Sequence, residues 1–132
     1  MHYVVEGTPI AWAAHGGYGK KSFNPRFKEK EYVQWQLKLQ HGGRPLIEGA
    51  VRIDFFFEMP IPKSLSKKLI TEIKSDIKVY HYSRPDRTNL LKFHEDCLIG
   101  TVLIDDNVVC AGTVEKYYAK DKPRTLIFIK DI

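Results

Sequence analysis

Ala50-Val51-Arg52-Ile53-Asp54-Phe55-Phe56-Phe57-Glu58 is the stretch that decides the fold. Val51, Ile53, Phe55 and Phe57 alternate with Arg52, Asp54 and Glu58, the two-residue period of a strand with one buried face. Met59-Pro60-Ile61-Pro62 ends it, because proline cannot donate to a ladder. Working outward, His2 to Glu6 reads as a strand closed by Gly7-Thr8-Pro9, and Ala11 to Phe27, with three glycines and no period, reads as a mobile loop or hairpin. Lys28 to Gln40 has helical spacing, with Tyr32, Trp35 and Leu39 expected inward, Val33 and Leu37 alongside, and His41-Gly42-Gly43 as the stop. Ser64 is expected to cap a second helix, Leu65 to Lys74, whose opposite face carries Lys67 and Lys68. A third helix is expected to begin after Pro85 and run to about Ile99, with Leu90, Phe93 and Cys97 inward and Gly100 just past its end. Val102 to Ile104, Val108 to Tyr118 and Arg124 to Lys130 read as strands, the first two joined at Asp105-Asp106-Asn107. This order predicts an α+β fold: one domain over residues 1–132, a mixed, mostly antiparallel sheet packed with about three helices.

Composition narrows the function. A chain of 132 residues is long enough for one ordinary core. At 43% hydrophobic residues and a mean hydropathy of −0.33, it has no apolar run near the ~20 residues of a membrane helix. The N-terminal stretch lacks the pattern of a secretion signal, and Cys97 and Cys110 make no CxxC pair, so reduced thiols in a cytoplasmic protein are expected. Lys and Arg number 21 against 16 Asp and Glu, a net charge of +5, which tilts toward an anionic partner such as nucleic acid.

Four constellations carry possible chemistry. In Arg84-Pro85-Asp86-Arg87-Thr88-Asn89-Leu90-Leu91-Lys92, Asp86 stands just before a helix, and Asn89 and Lys92 share one of its faces. The helix N-terminus adds free N–H groups and a positive dipole end that attract phosphate; taken alone, the segment is better read as Asp86 or Thr88 capping the helix. Asp105-Asp106 places two repelling carboxylates side by side, which suits a bound cation but, taken alone, is better read as a solvated turn. Glu95-Asp96 puts Asp96 four residues after Lys92, which a surface Lys92–Asp96 ion pair explains equally well. Lys20, Lys21, Arg26 and Lys28 interleave with Tyr18, Phe23 and Phe27, a pattern that fits phosphates and unpaired bases as well as a solvated loop. The five histidines show no helical zinc spacing, and Gly16-Gly17-Tyr18-Gly19 lacks the surroundings of a phosphate loop. Acids at two defined points of a basic chain fit carboxylates that hold Mg²⁺ at a phosphodiester.

These residues resemble the RusA family of Holliday junction resolvases. The family pattern, about P-D-x-D-N-L-x-K-x-x-x-D-x-L followed by D-D-x-x-V, is met by Pro85, Asp86, Asn89, Leu90, Lys92, Asp96 and Leu98, then Asp105, Asp106 and Val109. Gly7-Thr8-Pro9-Ile10-Ala11-Trp12 and Met59 to Lys68 look like the family's N-terminal features. The resemblance implies an α+β homodimer that cuts four-way DNA junctions by paired symmetric nicks with Mg²⁺ or Mn²⁺, in recombination and repair in bacteria or their phages. By position it implies Asp86, Asp105 and Asp106 as metal ligands, Lys92 as the catalytic lysine, and Thr88, Asn89 and Asp96 in support. DNA contacts are expected at Lys20, Lys21, Arg26, Lys28, Lys67, Lys68, Arg84 and Arg87. One departure is Thr88, which stands where the family usually has a second acid; a neutral hydroxyl is a weaker ligand, so a non-catalytic binder of branched DNA is the alternative. A small interaction module whose acids only cap and turn is a third reading.

Overall fold

The apolar side chains of Ala50–Glu58 do form the centre of the molecule. The computed structural model describes residues 1–14, 16–18, 21–23 and 26–132, those between 16 and 23 by their backbone alone. Strands β1 (His2–Glu6), β2 (Gly16–Tyr18) and β3 (Lys21–Phe23) come first, followed by helix α1 (Phe27–His41) and strand β4 (Val51–Met59). Helices α2 (Lys67–Lys74) and α3 (Arg87–Leu98) follow, then a 3₁₀ turn (Asp106–Val108) and strands β5 (Val109–Ala111), β6 (Val114–Tyr118) and β7 (Arg124–Asp131). β2 and β3 pair antiparallel with each other. The main sheet is mixed. β4 pairs antiparallel with β7, which pairs antiparallel with β1, while β5 and β6 run parallel to β4 along its other edge. The α+β expectation therefore holds. No helix among the described residues is long and apolar enough to cross a membrane.

Val51, Ile53, Phe55, Phe57 and Met59 are all buried, joined by Tyr3, Ile127 and Ile129 from β1 and β7 and by Leu90, Phe93, Cys97 and Leu98 from α3. α1 packs on β1 and α3, and α3 on β6. The other sheet face is solvated, with Phe56 and Phe128 edge to face at 5.8 Å and Arg52–Asp54 and Arg124–Glu58 ion pairs at 3.1 and 2.7 Å.

Several local expectations change. In α1 it is Val33, Gln36, Leu37 and His41 that are buried, whereas Tyr32, Trp35 and Leu39 are exposed, Leu39 by 63%. The reason is a hydrogen-bond demand. β1 is an edge strand, and its free backbone groups are satisfied by α1 side chains. Gln40 bonds both Val4 N–H and Val4 carbonyl (2.8 and 2.7 Å), and Gln36 accepts from Glu6 N–H at 2.8 Å. Turning Gln36 and Gln40 toward β1 fixes which apolar stripe of the helix goes in. α2 starts two residues later than expected and is capped by Ser66, whose hydroxyl accepts from Leu69 N–H, instead of by Ser64. Val102 to Ile104 forms no strand; Leu103 makes only isolated bridges to Ile47 and Ile99. The run from Val108 to Tyr118 is broken at Gly112 and Thr113.

That break is tightly built. A side chain at Gly112, where φ is +149°, would place its Cβ 1.8 Å from the Ile53 carbonyl oxygen. Thr113 then donates through both its N–H and its hydroxyl to one Asp54 carboxylate oxygen, each at 2.9 Å, and its carbonyl accepts from Phe55 N–H. Gly112→Ala is expected to destabilise the protein by ~4 kcal/mol or more, because backbone must move to admit one methyl; urea denaturation measures this, and a loss below ~1 kcal/mol would show that the β4–β5 approach relaxes freely.

His94 sits fully buried beneath the sheet. Its Nδ1 donates to the Leu90 carbonyl (2.8 Å), leaving Nε2 to accept from the Thr125 hydroxyl (3.3 Å). Burial pushes its pKa down to about 4 from the ordinary 6.5. A depressed imidazole pKa means that the unfolded chain takes up this proton first as pH falls. His94 therefore favours the fold fully above about pH 6.5 and loses that contribution between there and about pH 4, by at most ~3 kcal/mol. His94→Gln should flatten the dependence of Tm on pH in that window; an unchanged slope would assign acid lability elsewhere.

Candidate active site

The segment that carries Asp86 is held by β6. Tyr80 bridges Tyr117, His81 N–H donates to the Lys116 carbonyl, and Tyr118 N–H donates to the Val79 carbonyl, so residues 79–81 lie along the β6 edge. The Lys116 ammonium then reaches over to the carbonyl oxygens of Ser83 and Pro85, the latter at 2.7 Å. Burial lowers the Lys116 pKa, and the nearby Asp86 charge opposes that shift. Arg87 adds a bond to the Val114 carbonyl at 3.3 Å. With the preceding loop held this way, the chain enters α3 at Asp86.

Asp86 occupies the N-cap position of α3, yet its side chain makes no capping hydrogen bond. The simpler expectation for this residue, a structural cap, is therefore not what it does. Its exposed carboxylate lines a groove of about 870 Å³ together with Asn89, Arg84, Arg26, Glu29 and the 8–12 segment. Arg26 lies 3.8 Å from Glu29. Thr88 is exposed in the first turn of α3. Lys92, one turn on from Asn89, places its ammonium 3.6 Å from the centre of the Trp12 ring. The Lys92–Asp96 ion pair that the spacing equally allowed does not form among the described residues.

The second acidic motif lies at the opposite end of the helix. α3 has 12 residues, so its ends are about 18 Å apart at 1.5 Å per residue. The chain leaves its C-terminus through Gly100, bonded to Leu103, and reaches Asp105 and Asp106 nearby. The Asp105 carboxylate accepts from Asp106 N–H at 2.8 Å and so caps the 3₁₀ turn. Asp106 is exposed. Half-buried Glu95 has its carboxyl pushed above the usual range by burial and then by the Asp106 and Asp96 charges. Among the described residues, no three His, Cys, Asp or Glu side chains converge closely enough to hold a metal. The structure thus unites Asp86 with Asn89, with Lys92 alongside, and separates them from Asp105 and Asp106.

The expected DNA contacts are distributed similarly. Arg26 and Arg84 line the groove, and Arg87 is exposed beside it. Lys28 is exposed at the start of α1, and Lys67 and Lys68 on the first turn of α2. Lys20 and the side chain of Lys21 lie outside the described residues. Sequence reasoning passed over Lys116, and named Trp12 and Glu95 only within the Gly7–Trp12 stretch and the Glu95-Asp96 pair without giving either a role. The alternation of Val114–Tyr118 places Lys116 on one strand face, but nothing in the sequence says that its ammonium grips a loop thirty residues earlier.

Comparison with known proteins decides the family. The model of the family described as Endodeoxyribonuclease RusA matches residues 18–130. The chain belongs to the RusA endodeoxyribonuclease family. RusA nucleases act on Holliday junctions and other branched DNA, and generally depend on divalent metal. The chain is also similar to the uncharacterised protein YqaN of Bacillus subtilis (strain 168), 27% identical over 138 aligned positions that cover all of this chain and 96% of that protein.

Because Lys116 joins β6 to the Ser83 and Pro85 carbonyls just before Asp86, Lys116→Met should cost about 1–2 kcal/mol and speed amide hydrogen exchange at residues 82–87. Unaltered exchange there would show that the loop keeps its shape without the ammonium.

Proposed function

We propose that this RusA-family chain is an Mg²⁺- or Mn²⁺-dependent nuclease that resolves four-way junctions by paired symmetric nicks as a homodimer in the bacterial cytoplasm. The observation that carries the reading is the uncapped Asp86 carboxylate at the N-terminus of α3, in an open groove with Asn89 and beside Lys92.

The donors suit such a metal. Mg²⁺ keeps several waters and commonly takes one or two carboxylates plus substrate phosphate oxygens, so it does not need three acids from one chain. Asp86 would hold it, with Asn89 offering a neutral oxygen. Asp106, and Asp105 beside it, lie at the far end of the same helix, and would join Asp86 at one metal only across a pair of chains. When bound, the cation supplies an activated water and neutralises phosphate charge. The chain's own residues do the rest. Arg84 and Arg26 attract the DNA backbone into the groove, and the α3 N-terminus favours a phosphate there. Lys92 offsets charge that develops on the phosphate. Two sites related by a two-fold axis would match the symmetry of the junction.

A second reading, a branched-DNA binder that does not cut, is favoured by Thr88 in place of an acid and by the absence of a three-acid cluster among the described residues. Nicking of a synthetic four-way junction against linear duplex, in Mg²⁺ and in EDTA, separates the two. We expect Mg²⁺-dependent nicks at symmetric positions, lost at least ~100-fold in Asp86→Asn and Asp106→Asn with junction binding retained. Mixing the two variants should restore part of the activity if each site draws on both chains. Binding without cleavage under every divalent ion would leave only the binder.

A further inference from the structure

We propose that Trp12 is the positioning residue for the Lys92 ammonium, holding it at the Asp86–Asn89 groove by a cation–π contact. The inference rests on Lys92 acting on the phosphate as proposed above. Lys92 is exposed on α3, and a lysine side chain left free in that position spreads its charge over many rotamers. No acidic side chain holds it: among the described residues Lys92 forms no salt bridge. What it does meet is the Trp12 ring, 3.6 Å from ammonium to ring centre, well inside the ~6 Å reach of a cation–π interaction.

The residue that carries the ring is itself tied to the same helix. The Trp12 backbone N–H donates to the Asn89 carbonyl at 2.8 Å, and Asn89 stands one turn before Lys92. The 8–12 segment and α3 thus form a clip, with the backbone bonded at Asn89 and the aromatic ring beneath Lys92, along the wall of the groove that also holds Asp86. The chemical kind of contact matters. A carboxylate would fix the ammonium but cancel its charge, and would compete with the phosphate. An aromatic face fixes the ammonium while leaving the full positive charge and remaining N–H donors for an anion. Position 12 therefore requires an aromatic ring, and tryptophan is the strongest choice.

The contact and its consequence are tested separately. Reductive methylation with ¹³C-formaldehyde labels the lysines, and the Lys92 resonance is identified by its loss in Lys92→Arg. It should lie upfield of the other lysines through the ring current, move back to the common position in Trp12→Leu, and stay shifted in Trp12→Phe. On a four-way junction in Mg²⁺, Trp12→Leu should lower the nicking kcat roughly tenfold with junction Kd unchanged, and Trp12→Phe should recover most of that loss. An unshifted Lys92 resonance overturns the proposal, as does a Trp12→Leu protein that loses junction affinity but keeps kcat, which would make Trp12 a DNA contact. If Lys92→Ala nicks normally, the role given to Lys92 falls even where the resonance is shifted, and the two failures are thereby distinguished.

Discussion

The molecule depends on β4 being hydrogen-bonded along both edges while one of its faces is entirely apolar. An antiparallel partner on one side and two parallel pieces on the other leave it no free backbone groups over most of its length. Burial of Val51, Ile53, Phe55, Phe57 and Met59 against α1 and α3 then supplies the driving force. Parallel pairing to β6 requires a long crossover from Met59 to Val114, and that crossover contains α2, α3 and both acidic motifs. Asp86, Asn89, Lys92 and both acidic motifs are thus carried by the connection that β4 makes necessary, while the 8–12 segment and Arg26, which precede β4, complete the groove.

The ordering of that connection is polar where the core is apolar. Asp54, on the solvated face of β4, collects both donors of Thr113 and fixes where β6 begins. Lys116 on β6 collects the carbonyls of Ser83 and Pro85, which fixes where Asp86 stands. Each step is short-ranged and directional, so an error of a residue in the β4–β6 register would move the carboxylate out of the groove. The same geometry parts Asp86 from Asp106 by the length of α3. A helix that packs its Leu90–Phe93–Cys97 stripe on the sheet cannot bend to bring its ends together.

Elements whose signals are local were legible beforehand. The alternation of β4, the Leu90, Phe93 and Cys97 stripe of α3 and the positive φ at Gly100 each depend on neighbours within a few positions. The misreadings share one feature, dependence on a distant partner. α1 carries apolar residues about a third of a turn apart on two stripes. The choice between them was made by Gln36 and Gln40 satisfying the β1 edge, 30 and 36 positions away in the chain. Val102–Ile104 has the composition of a strand but finds no free ladder, since β5 and β6 already occupy that edge of β4.

What the sequence by itself determined is the class of fold, the order of most elements, and the residue types and spacing that mark the RusA family, because period and spacing are properties of the chain alone. The tertiary structure decided which carboxylate is free and which is used. Asp86, at a cap position, leaves its carboxylate in the groove, while Asp105 spends its own on the next N–H. It also decided that Lys92 rests on Trp12 and not on Asp96. The physical reason is that a charged side chain's partner is set by where the rest of the chain brings a ring, a carbonyl or a counter-charge within about 4 Å, and no local pattern encodes that meeting.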